Sequence, residues 1–408
     1  MGLMEILVSY QSFLARLLPV IDVILRLPLS LSCGWLILVA VILYVYVHYC
    51  KPLEYYLGAA AANKPEIGKC THVVVTGGSQ GIGLEVAKEY VRQGANVTIV
   101  ARNVKTLASA VEILRACAKE KHPDPENGSV VQGEKIRPTI RSVSVDCASS
   151  ENFVRRAFVD SQIPDCDILV NCAGTSVAGA FDELKDDAFE NMLRVNVLGS
   201  VFPTRVLIGG MKKRGAGRVV FVASQVAQCA LHGYTAYAAS KWALRGLAEA
   251  LQMELKPFGI LVSVAYPPDT DTPGYKTEML TKPSLTSKLS ESSSVFKPEQ
   301  VAKDIVKGVE LGYFGISTGL DGWLLKQLHA GMSPVHNAWE VLCQVLFAPI
   351  SRIIAVFYLV YFDSLVLSEK LESESEKSIW KTVPGSTAAA QEVGAAAAST
   401  SANDKKSK

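Results

Sequence analysis

In the middle of the chain, short runs of β-branched residues alternate with longer stretches whose apolar positions recur at helical spacing. The predicted helices cover residues 82–93, 103–120, 150–161, 186–212 and 236–256, and the runs that read as strands are THVVVTGG, NVTIVAR, IRSVSVD, DILVNCAG, RVVFVAS and ILVSVAYP. Apolar strands separated regularly by helices are typical of βαβ crossovers and of a parallel sheet with both faces covered. The pattern therefore predicts an α/β fold, a doubly wound parallel sheet, over a catalytic domain at about 69–333.

A nearly uninterrupted apolar run extends from Leu29 to Tyr49 and carries no charge. Its length suffices to cross a hydrocarbon core of about 30 Å. A cleaved signal peptide is the alternative, because Ala59, Ala60 and Ala61 resemble a cleavage site, but the run begins late and is long for such a peptide. We therefore expect residues 1–68 to form an N-terminal membrane anchor with a transmembrane helix at 29–49.

A second apolar region, Val341 to Leu367, is interrupted by Pro349 and contains Arg352 and Asp363. It could span the membrane, re-enter it or lie on it, and the sequence leaves these choices open. We expect a C-terminal membrane-associated segment at 334–367. The acidic and Ala/Ser-rich tail at 368–408 and the polar insertion His122–Arg137 are predicted to be disordered or solvated.

Composition narrows the class of protein. The formal net charge is only +2, so the chain offers no general attraction for nucleic acid, whereas 49% hydrophobic residues is a high share for a soluble enzyme. The nine cysteines include no C-x-x-C pair. A structural zinc site or a disulfide framework is therefore not expected, and neither is a metal cofactor.

The first predicted strand leads into a glycine-rich turn and then a helix. The turn contains Gly77, Gly78, Ser79, Gln80, Gly81, Ile82 and Gly83, with the spacing T-G-x-x-x-G-x-G. Such a turn lets backbone N–H groups and a helix N-terminus meet a pyrophosphate, as in Rossmann-type folds. We predict that this turn binds a dinucleotide.

The end of the second strand indicates which dinucleotide. A fold that selects NAD normally places a carboxylate near this point, about 20 residues beyond the glycines. Here the neutral Ala101 is followed by Arg102, and Lys105 comes one turn later. Arg and Lys suit the 2′-phosphate of NADPH. NADPH is therefore the predicted cofactor, with Arg102 and Lys105 as its partners.

The candidate catalytic residues are Tyr237 and Lys241, a Y-x-x-x-K pair on one face of a predicted helix. Ser224 ends a strand 13 residues before Tyr237, and Asn196 lies inside an earlier helix. A ketone accepts hydride only if its oxygen is stabilised and protonated. A phenol with a pKa near 10 could serve if a neighbouring ammonium lowered that pKa, which is the role predicted for Lys241. Tyr234 is set aside as the acid, because the residue four positions on is Ala238.

With the glycine turn and the run Asn171-Cys172-Ala173-Gly174, this set resembles the short-chain dehydrogenase/reductase family over about 70–272. The resemblance implies that Ser224 binds the substrate carbonyl and that Asn196 kinks its helix and holds a proton-relay water. It also implies that Asp146 approaches the adenine, that Asn171 and Ala173 border the cofactor, and that Thr272 binds the carboxamide. Pro268 and Thr270 depart from the family pattern beside Thr272.

The segment from Tyr266 to Pro273, AEALQMELKPFG before it and the flanking apolar regions resemble family members that reduce the ketone of a sphingoid base. The expected partners are a long-chain lipid ketone and a membrane, that of the endoplasmic reticulum, with the catalytic domain in the cytosol; homo-oligomerisation is left open. Other interpretations are a 3-oxoacyl-CoA reductase, a steroid or retinol dehydrogenase, and an inactive membrane scaffold. A sphingoid base carries an amine, for which Asp269 and Asp271 are the hypothesised partners.

Overall fold

The computed structural model describes residues 71–121, 137–290, 294–335 and 337–382. The predicted N-terminal anchor with its span at 29–49, nearly all of the polar insertion and the tail beyond 382 lie outside the described residues.

Seven parallel strands form one sheet in the order β3-β2-β1-β4-β5-β6-β7. They are β1 (His72–Thr76), β2 (Asn96–Ala101), β3 (Ile140–Ser144), β4 (Ile168–Asn171), β5 (Gly217–Val222), β6 (Ile260–Tyr266) and β7 (Gly315–Ser317). The order reverses between β1 and β4, and ligands of doubly wound sheets bind at such a switch point. The predicted fold class is confirmed. The pattern missed β7, which at three residues is too short to show a period.

Eleven α-helices are found among the described residues. They are α1 (Gly81–Arg92), α2 (Val104–Lys121), α3 (Glu151–Asp160), α4 (Ala188–Met192), α5 (Gly199–Arg214), α6 (Thr235–Leu255), α7 (Pro273–Met279), α8 (Ser284–Ser290), α9 (Pro298–Leu311), α10 (Gly319–Leu328) and α11 (Ala338–Thr382). Helices α1, α2 and α9 cover one face of the sheet, and α3, α5 and α6 cover the other. Successive strand residues point to opposite faces, so Val73 and Val75 join the first core and Val74 the second.

The single helix predicted over 186–212 is two helices joined by a π-helical turn, Leu193–Leu198. Helix α4 ends at Met192 and α5 begins at Gly199. A π-turn inserts an extra residue into the helical ladder and is frequent at functional sites. Asn196 lies within this turn, which a pattern of apolar positions cannot reveal.

Helix α11 continues through Pro349, the proline that interrupts the apolar region Val341 to Leu367 in the sequence. A proline removes one N–H donor from a helix and usually kinks or breaks it. The helix also extends to Thr382, into the segment predicted to be disordered. Its part Trp339–Ser368, 30 residues with a mean hydropathy of 2.0, is the one helix among the described residues long and apolar enough to cross a membrane.

Candidate active site

The glycine turn between β1 and α1 leaves no space for a side chain at Gly77 or Gly83. Gly77 has φ +67°, and a Cβ there would lie 2.8 Å from the backbone N of Ala173. At Gly83 a Cβ would lie 2.4 Å from the carbonyl oxygen of Gly77. Gln80, at the N-cap of α1, makes no side-chain capping hydrogen bond. The N-terminus of α1 is therefore open to an anion, and the turn fits a pyrophosphate.

The ends of β1 and β4 are joined beside this turn. Thr76 Oγ1 accepts hydrogen bonds from the backbone N–H groups of Cys172 and Ala173, both at 3.2 Å. Ala173 is thereby held against Gly77. Asn171, predicted to border the cofactor, is buried instead and donates from Nδ2 to Thr204 Oγ1 at 3.0 Å. Its contacts are those of a residue that ties β4 to α5.

Most of the predicted cofactor residues border one cavity. Those lining it are Gly77, Ser79, Gln80, Gly81, Ile82, Gly83, Arg102, Asp146, Ala173, Tyr237, Lys241 and Thr272. Asp146 accepts a hydrogen bond from the backbone N–H of Ala148 at 3.0 Å, and Thr272 caps α7 by accepting one from the N–H of Tyr275 at 3.1 Å. Lys105 is exposed at the start of α2 and does not line the cavity.

Ser224, Tyr237 and Lys241 meet at the carboxyl end of β5. Ser224 follows this strand and caps a short 3₁₀ turn by accepting from the N–H of Val226 at 3.2 Å. The Ser224 side chain acts on the phenol of Tyr237 and lowers its pKa. Lys241, one turn along α6, donates from Nζ to the carbonyl of Val222 at 3.0 Å and lies 5.7 Å from the centre of the Tyr237 ring. The three side chains thus border one space.

Asn196 is fully buried and links three segments behind this group. Its Oδ1 accepts from the N–H of Thr175 at 2.8 Å, and its Nδ2 donates to the carbonyl of Thr175 at 3.0 Å and to Ser240 Oγ at 2.8 Å. Its own carbonyl accepts from Ser200 Oγ at 2.9 Å. Asn196 therefore holds the π-turn, the segment after β4 and helix α6 in register around Lys241.

The pKa values of the phenol and the ammonium are shifted mainly by burial. Burial raises the pKa of Tyr237, as do the negative charges of Glu278 and Asp269, whereas the Ser224 side chain lowers it. The shift is opposite to the one predicted from Lys241. Burial lowers the pKa of Lys241 to about 8. Near neutral pH the phenol is thus protonated and Lys241 is mostly an ammonium.

A polar cluster beside Tyr237 includes Glu278 and Lys282, which the sequence did not single out. Tyr234 donates a hydrogen bond to Glu278 Oε1, and its ring centre lies 5.6 Å from that of Tyr237. The nearly inaccessible Lys282 pairs with Asp269 at 3.4 Å and lies 5.6 Å from the centre of the Tyr234 ring. These contacts join residues 13 to 48 positions apart, so no local spacing announces them.

The two carboxylates hypothesised to bind an amine are placed differently. Asp269 lines the cavity with Glu278, and its charge raises the pKa of Tyr237. Asp271 does not line the cavity and pairs with Lys276 at 3.1 Å, with both side chains exposed.

The cofactor cleft and the catalytic residues share one cavity of about 1180 Å³. Beyond Tyr237 the cavity extends to α10 and the middle of α11, where Leu324, Leu325, Leu328, Ile354, Ala355, Tyr358, Leu359 and Phe362 line it. Within the described ranges there is no cluster of His, Cys, Asp and Glu side chains that could hold a metal ion.

Residues 71–282 match the family model described as short chain dehydrogenase. The chain is 46% identical to 3-ketodihydrosphingosine reductase of Bos taurus over 330 residues, which are 81% of this chain and 96% of that protein. It is 44% identical to 3-dehydrosphinganine reductase of Danio rerio over 326 residues, 80% of this chain and 94% of that protein. Its fold is similar to a 3-oxoacyl-(acyl-carrier protein) reductase with bound NAD from Brucella melitensis, at a TM-score of 0.50 and 23% identity, covering 64% of this chain and 95% of that one.

Proposed function

The chain belongs to the short-chain dehydrogenase family, and on that basis we propose that it reduces the ketone of 3-ketodihydrosphingosine to the alcohol, dihydrosphingosine, with NADPH as hydride donor. The observation that carries this proposal is the meeting of Ser224, Tyr237 and Lys241 with the glycine turn in one cavity that extends along an apolar helix. The relatives that carry the name of this activity are matched by this chain over 96% and 94% of their own length. An inactive scaffold would not need this arrangement.

The proposed reaction adds a hydride to the carbonyl carbon and a proton to the carbonyl oxygen. When bound, the reduced nicotinamide supplies the hydride. Ser224 and Tyr237 hold the oxygen between them, and Tyr237 transfers its phenolic proton to that oxygen as negative charge develops there. The raised pKa of Tyr237 keeps the phenol protonated beforehand. Lys241, an ammonium nearby, stabilises the resulting phenolate.

For the cofactor, we propose that the pyrophosphate lies on the glycine turn, with Asp146 at the adenine and Thr272 at the carboxamide. NADPH is favoured over NADH by Arg102, which is exposed at the mouth of the cavity where NAD-selective folds carry a carboxylate. Lys105, off the cavity, is at most an auxiliary charge.

For the substrate amine, we propose Asp269 and Glu278 as binding residues, in place of the choice between Asp269 and Asp271 that the sequence offered. The amine is on the carbon next to the carbonyl carbon, so the residue that binds the amine must lie near Tyr237. The charges of Glu278 and Asp269 both act on the Tyr237 phenol, and both side chains line the cavity. Asp269 shares its charge with Lys282, whereas Glu278 is held by the neutral Tyr234. Glu278 is therefore the stronger candidate.

We also propose that the enzyme resides in the membrane of the endoplasmic reticulum with its catalytic domain in the cytosol. The apolar helix Trp339–Ser368 supports membrane association. A membrane-bound enzyme meets a water-insoluble ketone where that ketone partitions.

The deciding experiment is oxidation of NADPH by the purified full-length protein with 3-ketodihydrosphingosine in mixed micelles. A 3-oxoacyl-CoA, a steroid ketone and retinal are run beside it. Turnover of the sphingoid ketone with a kcat/KM at least tenfold above the others is expected. If the protein reduces one of the other three substrates with a higher kcat/KM, the proposed function is wrong and that substrate defines the activity. If none is reduced, the proposed reduction is wrong.

A further inference from the structure

The cavity is much longer than the catalytic group needs, and its far part is enclosed by α10 and α11. On α11 the lining residues include Ser351, Ala355, Tyr358 and Phe362, which are spaced at one helical face. Three leucines of α10, Leu324, Leu325 and Leu328, form the other wall. Apart from Ser351 these side chains are apolar or aromatic, and they suit an alkyl group. Three other polar residues, Asp321, His329 and Arg352, also line this part of the cavity.

The two walls are fixed to each other and to the catalytic helix. Lys326 of α10 pairs with Glu340 of α11 at 2.6 Å, and the rings of Trp323 and Phe347 pack edge to face at 5.2 Å. Arg245 of α6 donates to the carbonyl of His329, at the end of α10, at 2.7 Å. Helix α6 also carries Tyr237 and Lys241, so the apolar walls keep a defined position relative to the catalytic group.

The length of the α11 wall matches one lipid chain. From Ser351 to Phe362 the helix rises about 16 Å, at roughly 1.5 Å per residue. Half of a bilayer hydrocarbon core, the depth filled by one alkyl chain, is about 15 Å.

The opposite face of the same helix is apolar and exposed. Ile353, Phe357 and Val360 are 62%, 71% and 62% exposed, at helical spacing on the side away from the cavity. Tyr358 and Leu359 line the cavity and are also 43% and 45% exposed, so the cavity is open along this helix. A surface suited to lipid and the inside of the cavity are thus two sides of one helix.

We propose that the alkyl chain of the substrate lies between α10 and α11 along Leu324, Leu325, Ala355 and Phe362, and that it enters from the membrane past α11. This inference rests on the proposed function for the identity of the lipid and deepens it by assigning the chain site. The substrate would then slide from the bilayer with its head towards Tyr237, without crossing water.

The test compares a cavity residue with its exposed neighbour. Ala355→Phe places a ring inside the cavity, whereas Val356→Phe places the same ring on the exposed side, where Val356 is 45% exposed and does not line the cavity. The kcat/KM of each variant is measured with a long-chain 3-keto sphingoid base and a short-chain analogue with the same head group. Each methylene excluded from an apolar site costs about fourfold, so Ala355→Phe should lower the long-to-short ratio of kcat/KM about 10- to 20-fold. Val356→Phe should leave the ratio unchanged.

An unchanged ratio in Ala355→Phe, or equal losses in both variants, would overturn the chain site while leaving the ketone activity intact. If the wild-type protein reduces neither ketone, it is the proposed function that fails.

A second measurement needs neither turnover nor a variant, so it still tests the chain site if Ala355→Phe does not fold. A sphingoid ketone with a diazirine at the end of its chain is photolysed with the wild-type protein in vesicles. Label is expected on peptides from 319–328 and 351–362, and excess unlabelled substrate should remove it. Label on α7 and α8, or label that resists competition as bulk lipid contact would, overturns the assignment.

Discussion

Two phenols, Tyr234 and Tyr237, face the same cavity three residues apart on the start of α6, and their partners assign them different roles. Ser224, the residue proposed to hold the ketone oxygen, acts on the Tyr237 phenol, whereas Tyr234 donates a hydrogen bond to Glu278. The difference makes Tyr234 a matched control for Tyr237.

We predict that Tyr237→Phe loses turnover while binding NADPH nearly as well as the wild type. The ring still packs, but the proton donor is gone, and such donors contribute about 10²- to 10⁴-fold. Single-turnover rates and cofactor fluorescence measure the two effects separately. Tyr234→Phe should keep kcat within about tenfold of the wild type. More than about a tenth of wild-type activity in Tyr237→Phe would exclude Tyr237 as the acid.

Lys241 should give reduction a pH limit. Because burial lowers its pKa to about 8, the ammonium is present below that pH and is lost as the pH rises through it. The proposed phenolate then loses its stabilising charge, so kcat/KM for reduction should fall above about pH 8. In Lys241→Arg the guanidinium stays charged, with a pKa above about 12, and the residual activity should show no such break. A break that persists in Lys241→Arg belongs to another group.

Arg102 should set the choice of cofactor. Ala101→Asp with Arg102→Ala removes a charge-assisted contact worth about 1.5–3 kcal/mol and adds a repulsive carboxylate. The NADPH/NADH ratio of kcat/KM should therefore drop roughly 10- to 150-fold. Lys105→Ala, at an exposed position off the cavity, is the control and should change the ratio little. An unaltered ratio in the double variant would show that the 2′-phosphate binds elsewhere.

At the scale of elements, the segment after β6 and helix α7 carries the carboxylates proposed for the amine. The segment contains Asp269 and Asp271, and α7 contains Glu278. Asp269 and Glu278 line the cavity whereas Asp271 pairs with Lys276 outside it, so the same elements supply both the test residues and their control.

We predict that Glu278→Gln narrows the preference for the amine-bearing ketone over an analogue without the amine by roughly 30-fold or more, since breaking a desolvated charge pair costs about 2–5 kcal/mol. Asp269→Asn should have a smaller effect because Lys282 already shares its charge. Asp271→Asn should have none. The measurement is kcat/KM for both ketones. If all three variants keep the wild-type preference, the amine is recognised elsewhere.

At the scale of the whole molecule, helix α11 carries the exposed apolar surface proposed to meet the membrane. The orientation of the protein is defined by the compartment in which its catalytic domain lies. We predict a cytosolic catalytic domain. The sequon at Asn127, in the insertion outside the described residues, is a natural reporter and should carry no glycan in cells. A sequon engineered upstream of residue 29 should be glycosylated. A glycan on Asn127 would place the domain in the lumen.

Local sequence was sufficient for most of the features that depend on neighbours along the chain. Short β-branched runs and helical spacing predicted six of the seven strands and the doubly wound sheet, because a strand buried on both faces is continuously apolar and burial on a helix repeats with its turn. The glycine turn and the Tyr237–Lys241 pair could be read in the same way, since each lies within one turn or loop. The strand β7 was missed because three residues show no period.

Tertiary structure alone decided what depends on distant segments meeting. In the folded chain Asn171 donates a hydrogen bond to Thr204, and Asp271 forms an ion pair with Lys276 on the surface. Glu278 accepts a hydrogen bond from Tyr234, 44 residues away. Burial and the charges of Glu278 and Asp269 raise the pKa of Tyr237, where the spacing to Lys241 had predicted a lowering, because the sequence shows neither the burial nor these contacts. Helix α11, predicted from the sequence to be a membrane-associated segment, also lines the catalytic cavity. Hydropathy measures how much apolar surface a helix has, and only packing determines which face meets lipid and which meets the substrate.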